Sequence, residues 1–193
     1  MRTRCTRDNA FTGLEAAIVL IAFVVVAAVF SYVVLGAGFY TTQKSQEVVH
    51  TGVQSAGSNM QIVGNVYGVG TQGESIAMVN FTIGLAAGGT PIDFEKVVLV
   101  YSNATELETL EPIAGWQGTG VTPGKWAITS VQNPRGTSNS LLENGELFDI
   151  CAYPTRGINK NDAFSLEVKP DIGASVSVRR TAPASINGVN ILF

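Results

Sequence analysis

The chain is 193 residues long, 46% hydrophobic and only 14% charged, with a formal net charge of -3. These values exclude a disordered chain and a nucleic-acid binder, and the length suits one domain with an appendage. Mean hydropathy is +0.25, and its main source is Ala16 to Phe39, 24 residues without a charge. That stretch excludes an ordinary cytosolic protein.

The first ten residues hold Arg2, Arg4 and Arg7 against Asp8, whereas the rest of the chain sets nine basic residues against fourteen acidic ones. A basic start, an apolar run and an acidic remainder form the order of an export or membrane-insertion signal. As a helix of ~1.5 Å per residue the run is about 36 Å long, enough for a hydrocarbon core of roughly 30 Å. It is too long for an ordinary cleaved secretion signal. Because its apolar character goes all the way round, it needs burial in lipid or among other helices. Small residues such as Ala27, Ala28, Gly36 and Gly38 permit close helix–helix approach. Glu15 stands one residue before the run. A carboxylate there either keeps its head in water or waits for a partner that arrives on assembly.

The helical pattern continues past the apolar run. Val49, Val53, Ala56 and Met60 recur at steps of four, three and four, one stripe of an amphipathic helix. The spacing predicts a helix from residue 11 to about 57, greasy all round in its first half and amphipathic in its second. Gly64, Gly68, Gly70 and Gly73 then break the helix. In the segment SIAMVNFTIGL, Val79, Phe81, Ile83 and Leu85 share one face of a strand while Asn80 and Thr82 face the other way. EKVVLVYS, KWAITSV, ELFDICAY, AFSLEVK and ASVSVRR are further strands. Turn residues predict hairpins around Asn144-Gly145 and from Pro170 to Gly173. The fold is therefore α+β: a long N-terminal hydrophobic helix, then an antiparallel β-sandwich or partly closed barrel of immunoglobulin-like type.

Little of the sequence points to catalysis or ligand binding. Gly68, Gly70 and Gly73 match G-x-G-x-x-G, but a dinucleotide site needs a strand before the motif and a helix after it; here the order is reversed, and the glycines read as a flexible joint. His50 is the lone histidine and lies far from the β-segment carboxylates, so neither a histidine triad nor a zinc site is expected. Glu106, Glu108 and Glu111 read as a solvated acidic loop rather than as a cation site. Cys151 lacks a partner once the leader that carries Cys5 is removed, so no disulfide framework is possible. No cofactor is implied. Two N-x-[ST] sequons, at Asn80 and Asn103, fall where an exported domain would expose them.

Ala10 followed by Phe11-Thr12-Gly13-Leu14-Glu15 and the apolar run resembles the class III signal and N-terminal helix of type IV pilin-like proteins. NFTIGLAAGGTPIDFEKVVLVY, LLENGELFDI and SVRRTAPASINGVNILF resemble segments of the archaeal flagellins (archaellins), in the same order. The resemblance covers nearly the whole chain. It departs from many archaellins in having Ala10 before the cut and F-T-G-L-E after it.

That resemblance implies a leader of residues 1–10 removed between Ala10 and Phe11, an assembly helix of residues 11–60 and an outer head of residues 61–193. It implies a structural subunit of an extracellular swimming filament, not an enzyme; an adhesive type IV pilin-like subunit is the alternative. Expected partners are copies of the chain or paralogous archaellins, a prepilin-peptidase-like signal peptidase, a motor and export complex, and the membrane before assembly, but no nucleic acid. The cut would create an α-amine four residues from Glu15, able to neutralise that carboxylate on another subunit. Asn80 and Asn103 would carry glycans.

Overall fold

A computed structural model describes residues 7–70, 74–136 and 139–193, with residues 7–12 described by their backbone alone. The chain divides into two compact units, one ending at Thr51 and the other running from Gly52 to Phe193.

Helix α1 runs from Arg7 to Gly57, about 77 Å at ~1.5 Å per residue. No proline interrupts it. Three of its threonine hydroxyls bond back to the preceding turn: Thr41 Oγ1 donates to the carbonyl of Ala37 at 2.8 Å, Thr42 Oγ1 to that of Gly38 at 2.9 Å and Thr51 Oγ1 to that of Glu47 at 2.8 Å. Lys44 and Glu47, one turn apart, pair at 2.8 Å. The helix stops where Gly57 precedes Ser58, whose N–H and hydroxyl both donate to the carbonyl of Gln54. Val49, Val53 and Ala56 lie on the helix as their spacing predicts, but Met60 does not. It opens the first strand and is buried in the head core.

The head is built from β1 (Met60–Gly70), β2 (Ile76–Leu85), β3 (Ile92–Asp93), β4 (Val98–Asn103), β5 (Leu107–Gln117), β6 (Lys125–Gln132), β7 (Leu141–Leu142), β8 (Leu147–Tyr153), β9 (Ala163–Lys169), β10 (Val176–Thr181) and β11 (Val189–Leu192). Nine of these form one sheet in the order β10-β9-β4-β5-β6-β8-β2-β1-β11, and β3 pairs with β7 separately. All ladders are antiparallel except β5 with β6. That parallel pairing is short and shifts register between Pro112 and Gln117, where Gly115 and Trp116 adopt positive φ. The sheet curls until its two edges nearly meet, so the architecture is a nearly closed barrel.

Alternation in β2 places Val79, Phe81, Ile83 and Leu85 in the core, as the sequence predicts. Phe94, on a short 3-10 turn (Phe94–Lys96), meets Phe148 edge-on at 5.0 Å between ring centroids and Trp126 at 6.4 Å. Burying such aromatic side chains supplies much of a core's stabilisation.

Three sequence expectations need correction. Gly68 and Gly70 are not part of a joint but lie inside β1; Gly73 lies outside the described residues. A Cβ on Gly70 would come within 2.2 Å of the Ser75 carbonyl oxygen, and one on Gly68 within 2.9 Å of the Ile76 side chain. Close approach, not flexibility, is what these glycines supply. The acidic loop is in large part strand β5, which contains Glu108 and Glu111. The turn at Asn144-Gly145 forms, with Gly145 at φ 91° and Glu146 N–H donating to the Glu143 carbonyl. Its flanking strands nevertheless belong to different sheets, so it is not a hairpin. The Pro170–Gly173 hairpin forms as expected, between β9 and β10.

Candidate functional site

The helix is the first candidate. From Gly13 to Gly57 it is long and apolar enough to cross a membrane; its most apolar window has a mean hydropathy of 3.0 and is not buried at all. Val26, in the middle, is 67% exposed. Leaving this much apolar surface in water is strongly unfavourable, at roughly 25 cal/mol per Å². The glycines point the same way. Gly36 and Gly38 each cost a helix about 1 kcal/mol relative to alanine, yet a Cβ on either would meet nothing within 4 Å. No packing among the described residues needs them.

Glu15 is exposed and borders a shallow groove with Ala16, Val19, Leu20 and Phe23. Ala10 and Phe11 are within the helix, but their side chains lie outside the described residues. His50 is on the exposed surface of the helix.

In the head the two sequons differ. Asn103 closes β4, and its Oδ1 accepts from the backbone N–H of Thr105 at 2.8 Å, the hydroxyl of Thr105 at 3.0 Å and the N–H of Glu106 at 2.8 Å. Its Nδ2 donates to the Tyr101 hydroxyl at 3.2 Å. The sequon is thus an Asx turn, with its threonine bound to the asparagine amide, at the rim of a cavity of about 400 Å³ lined also by Ser102, Ser165 and Arg179. Asn80 sits mid-strand between Tyr67 and Cys151. It is half-buried, and its Oδ1 is enclosed without a hydrogen-bond partner among the described residues.

The remaining candidates are structural. Glu106 pairs loosely with Arg156 at 3.8 Å, and Glu108 accepts from Thr155 N–H at 3.0 Å. Among the described residues, no group of three metal-ligating side chains converges. Glu146 is buried and was not singled out by sequence; its carboxylate accepts from the N–H groups of Arg135 and Glu143 and so ties two turns together. The signal was available in the Glu143-Asn144-Gly145-Glu146 turn. Cys151 is buried, and desolvation pushes its thiol up from 9.0 to about 11.

Comparison with known proteins covers both halves of the chain. Residues 10–180 match the family described as archaeal-type flagellin. A probable flagellin of Archaeoglobus fulgidus is 43% identical over 194 residues, covering 96% of this chain and 96% of that protein. A 24 kDa flagellin of Methanospirillum hungatei is 88% identical over 32 residues, which are 17% of this chain and all of that sequence. The solved archaeal flagellum of Methanospirillum hungatei strain JF1 is similar at a TM-score of 0.74 and 38% identity, covering 94% of this chain and 99% of that one.

Proposed function

Because the chain belongs to the archaeal-type flagellin family, we propose a specific course of maturation and assembly for it. The protein is a structural subunit of an archaellum filament for swimming motility, located outside the cell, and not an enzyme. An adhesion-pilus role is not favoured, since the resemblance extends through the head.

The precursor sits in the membrane with its arginine leader on the cytoplasmic side. A prepilin-peptidase-like enzyme cuts between Ala10 and Phe11, which leaves three arginines behind. The helix then exchanges lipid for the helices of neighbouring copies or paralogues, delivered by a membrane export and motor complex. Both environments are apolar, so the exchange carries little desolvation cost, and close packing at small residues holds the product together. The new α-amine of Phe11 neutralises Glu15 of an adjacent subunit and fixes axial register. Asn103 carries a glycan on the outer surface.

The observation that supports this course is the exposed helix, apolar all round in its first half, in which a Cβ on Gly36 or Gly38 would meet nothing within 4 Å among the described residues. The test is electron microscopy of filaments sheared from cells, with N-terminal sequencing and intact mass of the subunit. A mature chain beginning at Phe11 is expected. A subunit that keeps Met1, or that begins after Gly38 as a secretion signal would leave it, overturns the maturation scheme.

A further inference from the structure

The head carries apolar side chains that its own core does not use. In the β1–β11 ladder, Val66 lies beside Leu192 and Gly68 beside Asn190, all buried; the alternate pairs are Tyr67 with Ile191 and Val69 with Val189. These pairs face outward. Val189 is 64% exposed, Ile191 45% and Tyr67 40%. The stripe continues into Phe193, which is 87% exposed.

Two further features mark this surface. First, β11 is an edge strand: it forms one ladder, with β1, and its other side reaches β10 through a single backbone bond, Thr181 N–H to the Phe193 carbonyl. An exposed apolar edge is an association hazard in a free monomer. Second, charge is absent from its own segment. No charged side chain occurs from Thr181 to Phe193, and the two residues before that run are Arg179 and Arg180. Among the described residues neither arginine has a carboxylate within 4.0 Å; Arg180 donates to the Arg179 carbonyl at 2.8 Å, and the charge of Arg179 is felt at a distance by Glu167. The rest of the head is acidic: from Ser58 on, eight basic side chains stand against twelve acidic ones.

We infer that the outward face of β1 and β11, built on Tyr67, Val69, Val189 and Ile191, docks against the head of a second copy of this chain in the filament. Arg179, which alternation places on the outward side of β10 across the seam from Phe193, meets the acidic surface of that copy. A second copy is the occupant because an open helical polymer presents one fixed patch of each subunit to a different patch of the next. Acidic heads brought side by side would otherwise repel, and the basic rim offsets this where contact is closest. Polymerisation through the helix alone would leave the stripe in water on every subunit.

Thiol protection tests the contact in assembled filaments. In a Cys5→Ser background, Ile191→Cys introduces the one accessible thiol, since Cys151 is buried. Maleimide labelling of Ile191→Cys should be roughly tenfold slower in filaments than in detergent-dissociated subunits, the protection given by about 1.4 kcal/mol of contact free energy. Equal rates in the two states overturn the proposal. A second variant reads the same contact without chemistry on the thiol. Val189→Asp with Ile191→Asp should keep the β-sheet circular dichroism of the head yet give filaments that dissociate at lower temperature. Filaments with unchanged thermal dissociation overturn it equally.

Discussion

Thr181 donates its backbone N–H to the carbonyl of Phe193 at 3.2 Å, which joins the two edges of a nine-stranded sheet. A second tie lies further along β10's entry, where Asn59 and Ala174 form an isolated parallel bridge. Between these two ties no ladder joins β10 to β11 or β1 among the described residues, so the seam is held at two points and stays open between them. Two ties are enough to hold the curled sheet near closure without giving either edge strand a second full partner.

Val26→Lys should abolish filaments and leave the head folded. A lysine inserted among packed helices has neither a partner nor water, a cost of several kcal/mol per subunit. A lone anchor in lipid would lose only roughly 2.5–3.5 kcal/mol on insertion scales. Electron microscopy for filaments and circular dichroism for the β-sheet check the two halves of the expectation; filaments of normal length would count against a helical core.

Gly36→Leu should act with opposite signs on the isolated chain and on the polymer. Removing a helix-interior glycine favours the helix by about 1 kcal/mol, and among the described residues no atom lies within 4 Å of a Cβ placed there. Where another helix approaches closely, the added bulk forces the pair apart. Helicity in detergent should hold or rise while the temperature of filament dissociation falls. A rise in both would show that no neighbour closes on Gly36.

Glycan mass should appear on Asn103 and not on Asn80. Thr105 already holds the Asn103 amide in a turn, whereas Asn80 is half-buried mid-strand with its Oδ1 enclosed. Peptide mass spectrometry of native filaments decides between them. Modification of Asn80 alone would mean that attachment precedes folding of β2.

Stability of the head should fall as pH rises from about 9 to about 11. In the unfolded chain the Cys151 thiol ionises near 9.0, whereas in the fold desolvation holds it protonated up to about 11. Protonation is favoured by folding, so the stabilisation is intact below pH 9 and is lost as the unfolded thiol gives up its proton first. Tyr101, raised from 10.0 mainly by burial, adds to the loss above pH 10. Cys151→Ala should flatten the earlier part of this decline in thermal unfolding curves. An unchanged profile would remove Cys151 as its cause.

The helix and six of the strands were legible because their signals are local. Val79, Phe81, Ile83 and Leu85 alternate on one strand, and the run after Glu15 is too apolar to be anything but a helix in lipid or among helices. β1 was not legible: glycine interrupts its pattern at Gly64, where φ is 83° and the register shifts between Val63 and Tyr67. The need for Gly68 and Gly70 comes from Ile76 and Ser75 across a turn, and that proximity exists only in the fold. β5 was hidden for a similar reason. Its charges read as a loop, and Leu110 is its one fully buried residue. The outward stripe of β11 is not legible in Val189-Asn190-Ile191-Leu192, because only the register with β1 divides these residues between two faces.

Ser58 and Asn59 determine how mechanical load enters the head. The Ser58 carbonyl accepts from Ala174 N–H at 3.3 Å, the Asn59 carbonyl accepts from Ala86 N–H at 2.8 Å, and the Ser58 hydroxyl meets that of Thr90. Three bonds from two residues thus end on three separate stretches of chain: the β9–β10 turn, the end of β2 and the loop beyond it. Tension arriving along the backbone at this point meets these three bonds before it reaches the ladders of β1. Gly173 guards the arrangement, since a Cβ there would fall 1.8 Å from the Ser58 carbonyl oxygen. A chain pulled at its N-terminal end should for that reason load three stretches of the head at once, and a larger residue at 173 would remove one of them from the grip.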